Sequence, residues 1–454
     1  LPGTIRVYLV SERYEGLRPR SKVRIMSGPF ETGAYAGLFQ HRWRDGLGLD
    51  LAADFLGTEG VSGTGRSDQL FDVWAKLSWV PAGRLGASYQ VRRHQVDRPQ
   101  VDVGTGAGVG VPAQQGVRTD ALFSLFTQAS EHGLGLGADG GFAVTKWSPD
   151  SGAAIPEQEV RRAYASARYD RRNLSMSARA QVGDGRTTAR LDGRLGWVPL
   201  PGLVLAGDVR WMRHEGNRTS RLAHASAGIY RGPLSLSGEI TLADAVQAPA
   251  LLGDTALATA DRAVHARLRS RRLDLSLSLV RRDAFEPLPY PDLALIGGFA
   301  PAPAMTYAVA SLRVRPSSAL TLGLWYSDPT DNVSRLGGEG AFVVPADLQP
   351  PAHARAEITL RSKYWRTFRS GAFGFKLQLA MESWSTGTAG LDARGVPIPL
   401  PGATFYHVFL QFQVVSFRLF WDFRNARLTQ AQYVPGLTYP RQAQSFGVTW
   451  EFFN

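Results

Sequence analysis

Large apolar residues recur at every second position along most of this chain, and the residues between them are polar or small. In RRLDLSLSLV, Leu273, Leu275, Leu277 and Leu279 share one parity, while Arg272, Asp274, Ser276 and Ser278 share the other. In NLSMSARAQV, Leu174, Met176, Ala178, Ala180 and Val182 alternate with Ser175, Ser177, Arg179 and Gln181. A period of two predicts β-strands with one apolar and one polar face. Such strands run into very short turns, as in WVPLPGLVLAG and YRGPLSLSG, and a second strand follows at once. Between these hairpins lie polar, Gly- and Pro-rich connections at 95–118, 146–159, 244–258, 282–303, 327–351, 384–402 and 426–442. No helical period interrupts the scheme, which predicts one all-β domain over about 44–454.

The alternation of short turns with long loops chooses between two architectures. A soluble sandwich or propeller turns its apolar face inward and has no need of it. A transmembrane antiparallel up-and-down β-barrel turns that face to lipid, with short periplasmic turns and longer extracellular loops. The strands run roughly 9–12 residues, enough to cross a bilayer at a barrel's tilt. Trp43, Trp79, Trp197 and Trp421 stand beside short turns, and Trp147, Trp211, Trp325 and Trp384 near long-loop ends. That recurrence predicts two aromatic girdles. Counting from GLGLDLAADF (46–55) gives 20 strands, and RSKVRIMSG (20–28) with GAYAGLFQHRW (33–43) raises the number to 22. The last stretch, SFGVTWEFFN, puts Phe446, Val448, Trp450 and Phe452 on one face. In a barrel that strand closes on the first, and lipid covers its apolar side.

Composition agrees with strands and excludes helical spanning. Hydrophobic residues are 44% of the chain and charged residues 20%, too apolar for a disordered protein. No run approaches the ~20 consecutive apolar residues of a membrane-crossing helix. Cysteine is absent, so no disulfide framework is expected. The chain opens LPGTIRVYLV, without a basic stretch leading into an apolar one. A signal peptide is therefore expected to have been removed, or the chain to be part of a longer precursor.

The formal charge is +12, and of 51 basic residues only Lys22, Lys76, Lys146, Lys363 and Lys376 are not arginine. A nucleic-acid surface would cluster these charges among aromatics. Here they are scattered beside Asp and Glu, so no nucleic-acid partner is expected. Strand parity predicts that Arg92, Arg168, Arg179, Arg190, Arg194, Arg210, Arg272 and Arg313 face the lumen, with Asp50, Asp54, Asp192, Asp208, Asp274, Glu239, Glu382 and Glu451. Such a lumen either favours anionic solutes or an acidic plug surface, or is a wall of mutually compensating ion pairs. The eight histidines are dispersed and show no metal-ligand spacing. GTGAGVG (104–110) has no following helix with which to cradle phosphate. No catalytic, cofactor or metal site is expected, and the chain reads as a non-enzyme.

Two stretches resemble the TonB-dependent outer-membrane receptor family. FRLFWDFRNARLTQAQYVPGLTYPRQAQSFGVTWEFFN is similar to the end of such receptors. A strand ends near Asn425, a loop carries Tyr433, Pro435, Gly436 and Arg441, and an alternating strand finishes on aromatics. Phe446, Val448, Trp450, Phe452 and Phe453 also resemble the signal by which barrel-assembly machinery recognises its clients, with the departure that Asn454 follows Phe453. VRIMSGPFETGAYAGLF (23–39) resembles the end of the family's plug domain through Val23, Ile25, Gly28 and Pro29, together with Tyr35 and Gly37. The same residues read equally well as a first barrel hairpin, so 1–43 is expected to be one or the other. A complete plug does not fit before residue 44.

The resemblance implies a bacterial outer-membrane barrel, in contact with lipid and lipopolysaccharide, that takes up a small solute with a TonB-type energiser. The alternative is a plugless barrel acting as a passive porin-like channel, or as a membrane anchor in a cell-envelope protein complex. The identity of the solute is not legible in the sequence.

Overall fold

The computed structural model describes residue 14 and residues 16–453, apart from 60–67, 82–84, 99–100, 103–109, 112–113, 128–134, 151–156, 247–255, 285–303, 331–351, 365–366, 369–371, 392–396, 430–431, 435–436 and 439–441. The glycine-rich 104–109, and Pro435, Gly436, Arg441 and Asn454, thus lie outside the described residues. No helix among the described residues is long and apolar enough to cross a membrane.

The period-2 segments become 22 strands of one sheet. They are β1 (Arg20–Ser27), β2 (Gly33–Arg42), β3 (Leu47–Thr58), β4 (Asp68–Trp79), β5 (Leu85–Arg98), β6 (Gln114–Thr127), β7 (Gly135–Pro149) and β8 (Gln158–Arg171). Then come β9 (Leu174–Gly183), β10 (Thr187–Leu200), β11 (Leu203–His214), β12 (Thr219–Arg231), β13 (Leu234–Val246), β14 (Ala256–Arg269) and β15 (Leu273–Arg282). The remainder are β16 (Met305–Val314), β17 (Leu320–Pro329), β18 (His353–Ser362), β19 (Phe373–Trp384), β20 (Ala403–Val414), β21 (Phe417–Arg424) and β22 (Ala443–Phe453). Three two-stranded ribbons stand in the loops, the longest being Gly387–Leu391 with Pro397–Leu400.

Every strand pairs antiparallel with the next, and β22 returns to β1 from Arg20↔Phe453 to Ser27↔Phe446. Closure leaves the sheet without an edge, as a wall in hydrocarbon requires, because unpaired backbone N–H and C=O groups there would find no water. The segment 20–42 is therefore the first hairpin of the wall, and the barrel begins at Arg20, earlier than the boundary near 44 expected from the alternation. Val23 and Ile25 lie on the outer face of β1, 40% and 49% exposed, and Gly28 and Pro29 form the turn to β2.

One end of the cylinder carries the connections 43–46, 172–173, 201–202, 232–233 and 415–416, together with the ends at Arg20 and Phe453. The other end carries 283–304, 330–352, 385–402 and 425–442. In barrels of this kind the first end is periplasmic and the second extracellular. The tight turns impose their own residues. Gly202 has φ +86°, and a Cβ there would stand 2.5 Å from the Tyr230 carbonyl oxygen. At the extracellular end Asn425 takes φ +54° and is fully buried. Its side-chain NH2 donates to the Thr429 carbonyl at 2.8 Å, and its amide oxygen accepts from the Thr429 N–H at 2.9 Å. Asn tolerates the left-handed region better than most residues because its short amide bonds to nearby backbone.

Candidate functional site in the barrel lumen

Because the pleat alternates, residues paired across the sheet share a face. On one face lie Leu273, Leu275, Leu277 and Leu279, Val209, Leu236 and Val264, and several are more than half exposed despite being apolar. On the other lie the ion pairs. The apolar face is therefore the lipid face, and the charged face lines the lumen.

Seven of the eight predicted arginines sit on that lining. Arg190 and Arg210 both reach Asp192, each at 2.6 Å. Arg92 forms a two-point pair with Asp72. Arg179 is the cross-strand partner of Asp192 and lies 4.6 Å from the centre of the Tyr164 ring. Arg168 stands 3.8 Å from Asp170. Arg194 opposes Ser177 and Asp208, and Arg313 opposes Asp274. Arg272 departs from the expectation: it lies in the turn between β14 and β15, where strand parity no longer places a side chain on the wall. The same wall carries arginines that the sequence reading did not single out, among them Arg20, Arg42, Arg118, Arg162, Arg355 and Arg424. Their parity relative to the apolar positions was the available signal.

The wall is not evenly neutralised. Most of these pairs are partly open to the lumen, where an exposed ion pair contributes only about 0–1 kcal/mol. Arg42 with Asp50 is more enclosed, at 2.8 Å and 15% and 4% side-chain exposure, and Asp50 also accepts from Gln40 Nε2 at 3.0 Å.

The lining forms two hollows, the second at the extracellular mouth and the first running from the mouth down the wall to Lys376. The first, of about 500 Å³, lies on β18 to β21 and includes Arg355, Lys376, Glu382, His407, Asp422 and Arg424. Glu382 is its centre. Its Oε1 is 2.9 Å from His353 Nε2, and its Oε2 is 3.7 Å from Arg355 Nη1 and 3.9 Å from His407 Nε2. His353 stacks on Trp384 with ring centroids 3.5 Å apart and meets the edge of Trp325 at 4.8 Å. Phe405 is 2% exposed beneath them, and Lys376 Nζ lies 4.8 Å from the centre of the Phe409 ring.

The second hollow, of about 490 Å³, lies on β4 to β8 and includes His94, Arg98, Arg118, Trp147 and Arg162. Arg118 pairs with Asp120 at 3.0 Å, while Arg98 and Arg162 have no carboxylate partner among the described residues. Both hollows set cations beside aromatic rings. Chemically that arrangement suits an anionic solute, held by guanidinium forks and ring faces and released without covalent chemistry.

These hollows also change the aromatic picture. Trp43, Trp79, Trp197 and Trp421 are exposed at 41% to 52%, and the last three lie on the lipid face of their strands. Trp211 faces outward near the other end. Trp147, Trp325 and Trp384, expected in an extracellular girdle, face inward instead, on the parity of Arg118, Arg355 and Glu382. Nearness to a loop end fixes height along the barrel, and parity alone fixes the side. Four of the histidines, dispersed in sequence, converge in pairs: His353 and His407 on Glu382, and His224 and His265 on Glu239, at 3.3 and 3.4 Å. No group of three or more metal-ligating side chains forms among the described residues. At the seam Phe446 and Trp450 face lipid, with Val448 and Phe452 on the same parity, whereas Phe453 falls on the inner parity at the periplasmic rim, opposite Arg20.

A closed 22-stranded barrel with a lipid-facing apolar band and a charged lumen is a transmembrane barrel of the bacterial outer membrane. Its fold is that of TonB-dependent outer-membrane receptors. A variant of the ferric enterobactin receptor PfeA from Pseudomonas aeruginosa superposes with TM-score 0.69 at 10% identity, over 97% of this chain and 81% of that one. The siderophore receptor PirA from Acinetobacter baumannii gives 0.67 at 8%, over 97% and 81%. The iron transporter FrpB from Neisseria meningitidis gives 0.63 at 11%, over 96% and 82%. No family model matches the chain, and no curated protein matches it in sequence.

Proposed function

We propose that this barrel moves an anionic small solute across the outer membrane, in the manner of the receptors whose fold it shares. The observation that carries the reading is the pair of basic, aromatic-lined hollows that open at the extracellular end, one with Arg355 and Arg424 near the mouth and Lys376 deeper, and the other with Arg98, Arg118 and Arg162. A solute arriving from outside meets the arginines of the two hollows first and Lys376 further in, and a positive mouth raises the local concentration of anions. The similar structures include a ferric enterobactin receptor and an iron transporter, so an anionic iron chelate is the solute class to try first. A TonB-type protein is the corresponding energiser. Phe446, Val448, Trp450, Phe452 and Phe453 serve on this reading as the assembly signal, and deleting residues 452–454 leaves the chain unable to reach its folded, heat-modifiable form.

The experiment is planar-bilayer recording of the purified chain in a salt gradient, with equilibrium binding of ferric enterobactin in parallel. Anion-selective conductance or saturable chelate binding is expected, and either is reduced by R355Q/K376Q/R424Q. A barrel that neither conducts nor binds overturns uptake and leaves the scaffold role in a cell-envelope complex.

A further inference from the structure

The lipid face should carry no charge where it meets hydrocarbon, yet on one flank it carries several arginines. Arg213, Arg221, Arg262 and Arg281 all fall on the outward parity of β11 to β15 and are exposed. Arg262 and Arg281 are directly opposed across β14 and β15. None of the four holds an ion pair among the described residues. One carboxylate shares this face, and another lies just past the end of β15. Asp244 is the cross-strand partner of Arg221 without pairing to it, and Asp283 is occupied by backbone, accepting from the N–H groups of Ala260 and Ala284, each at 3.0 Å.

The position is as specific as the charge. Below the arginines the same face is apolar, with Val209 60% exposed, Leu277 51% and Leu279 55%. Trp211 stands directly across from Arg221. By contrast, the outward face of β16 to β22 and of β1 to β4 presents no Arg or Lys among the described residues. Chance scatter of an arginine-rich composition would not spare half the circumference.

Two guanidinium groups opposed across a ladder repel one another unless an anion lies between them. At the boundary of the apolar band and the extracellular loops, the anion at hand is a lipid headgroup, and phosphate matches paired guanidinium forks in two-point geometry. We propose that the outward patch of Arg213, Arg221, Arg262 and Arg281 is a docking site for one phosphorylated glycolipid of the outer leaflet. Its phosphates sit between Arg262, Arg281 and Arg221, its acyl chains run down over Val209, Leu277 and Leu279, and Trp211 lies beside the sugar.

The test uses the full chain, purified in detergent and delipidated, with native mass spectrometry during titration by hexa-acylated bisphosphoryl lipid A. One lipid per barrel is expected to stay bound, and R221Q/R262Q/R281Q weakens it at least tenfold. R171Q/R231Q, outward but at the periplasmic end, leaves it unchanged. Phosphatidylglycerol and inorganic phosphate are expected not to displace it. Equal binding by the triple variant, or equal affinity for phosphatidylglycerol, overturns the assignment. Heat-modifiable migration confirms that each variant is folded, and R262Q alone replaces the triple variant should that one fail to fold.

Discussion

Nε of Arg20, in the first strand, donates to Oε1 of Glu451, in the last, at 2.7 Å, so an ion pair spans the seam at which the cylinder closes. Both side chains are largely enclosed, at 12% and 21% exposure, and Arg20 Nη1 also reaches Gln40 Oε1 at 3.3 Å. Replacing Glu451 by Ala leaves a guanidinium with one partner fewer in a place where water replaces it poorly. The cost is about 1–3 kcal/mol, read as a lower temperature for conversion of the heat-modifiable band, and Glu451→Gln recovers part of it. No change in that temperature would show that the pair does not hold the seam.

Gly447, also on β22, faces inward beneath the Phe420 ring. A Cβ there would stand 2.5 Å from the Ile25 carbonyl oxygen and 2.6 Å from the ring. Gly447→Ala therefore overpacks the seam at about 1–3 kcal/mol. Combining it with Phe420→Leu relieves the clash with the ring but not the one with the backbone, so a double-mutant cycle by thermal melting should return only part of the loss.

The two sides of β22 differ in what they tolerate. Val448 lies between Ile25 and Leu419 on the lipid face, whereas Thr449 lies between Arg24 and Arg418 on the lumen face. An arginine at position 448 costs about 2–4 kcal/mol near mid-membrane. Thr449→Asp, placed between two arginines, is expected to be neutral or mildly stabilising. Folding yield into liposomes distinguishes them, and similar losses for both would contradict the assignment of faces.

Asn425 combines a left-handed backbone with two hydrogen bonds to Thr429. Asn425→Ala loses both bonds and keeps the unfavourable φ, which amounts to about 2–3 kcal/mol at roughly 1 kcal/mol for each contribution. Asn425→Gly loses the bonds alone and should fall between Ala and wild type in a urea midpoint measurement. If Gly proves worse than Ala, backbone strain is not what the asparagine manages.

At the mouth, Glu382 offsets Arg355 and approaches His353 and His407. Glu382→Gln removes a negative charge from the first hollow and should shift the reversal potential toward stronger anion selectivity, whereas Arg355→Gln shifts it the other way. Shifts of the same sign in both variants would mean that the hollow does not govern permeation.

Much of this architecture was legible because a barrel wall is a local code repeated. Leu273, Leu275, Leu277 and Leu279 needed only their spacing to be read as one face of a strand, and turn length alone sorted the two ends of the cylinder. The inward arginines followed from the same parity. Where the chain left the strand the rule stopped applying, and Arg272, one residue outside β15, was misplaced for that reason. The girdle prediction failed for Trp147, Trp325 and Trp384 because it used distance from a loop, which gives height, without asking on which side each residue stood.

What the sequence determined by itself is the set of strands, their two faces and the alternation of turns, because each depends on residues within about a dozen positions of one another. The register in which β22 closes on β1, which joins Arg20 to Glu451, was decided only by the tertiary structure. So were the gathering of His353, Arg355, Glu382 and His407 into one hollow and the bare pairing of Arg262 with Arg281. Those neighbours are set by the register between strands and by the curvature that brings distant hairpins round one lumen, and neither is written in the period of any single segment.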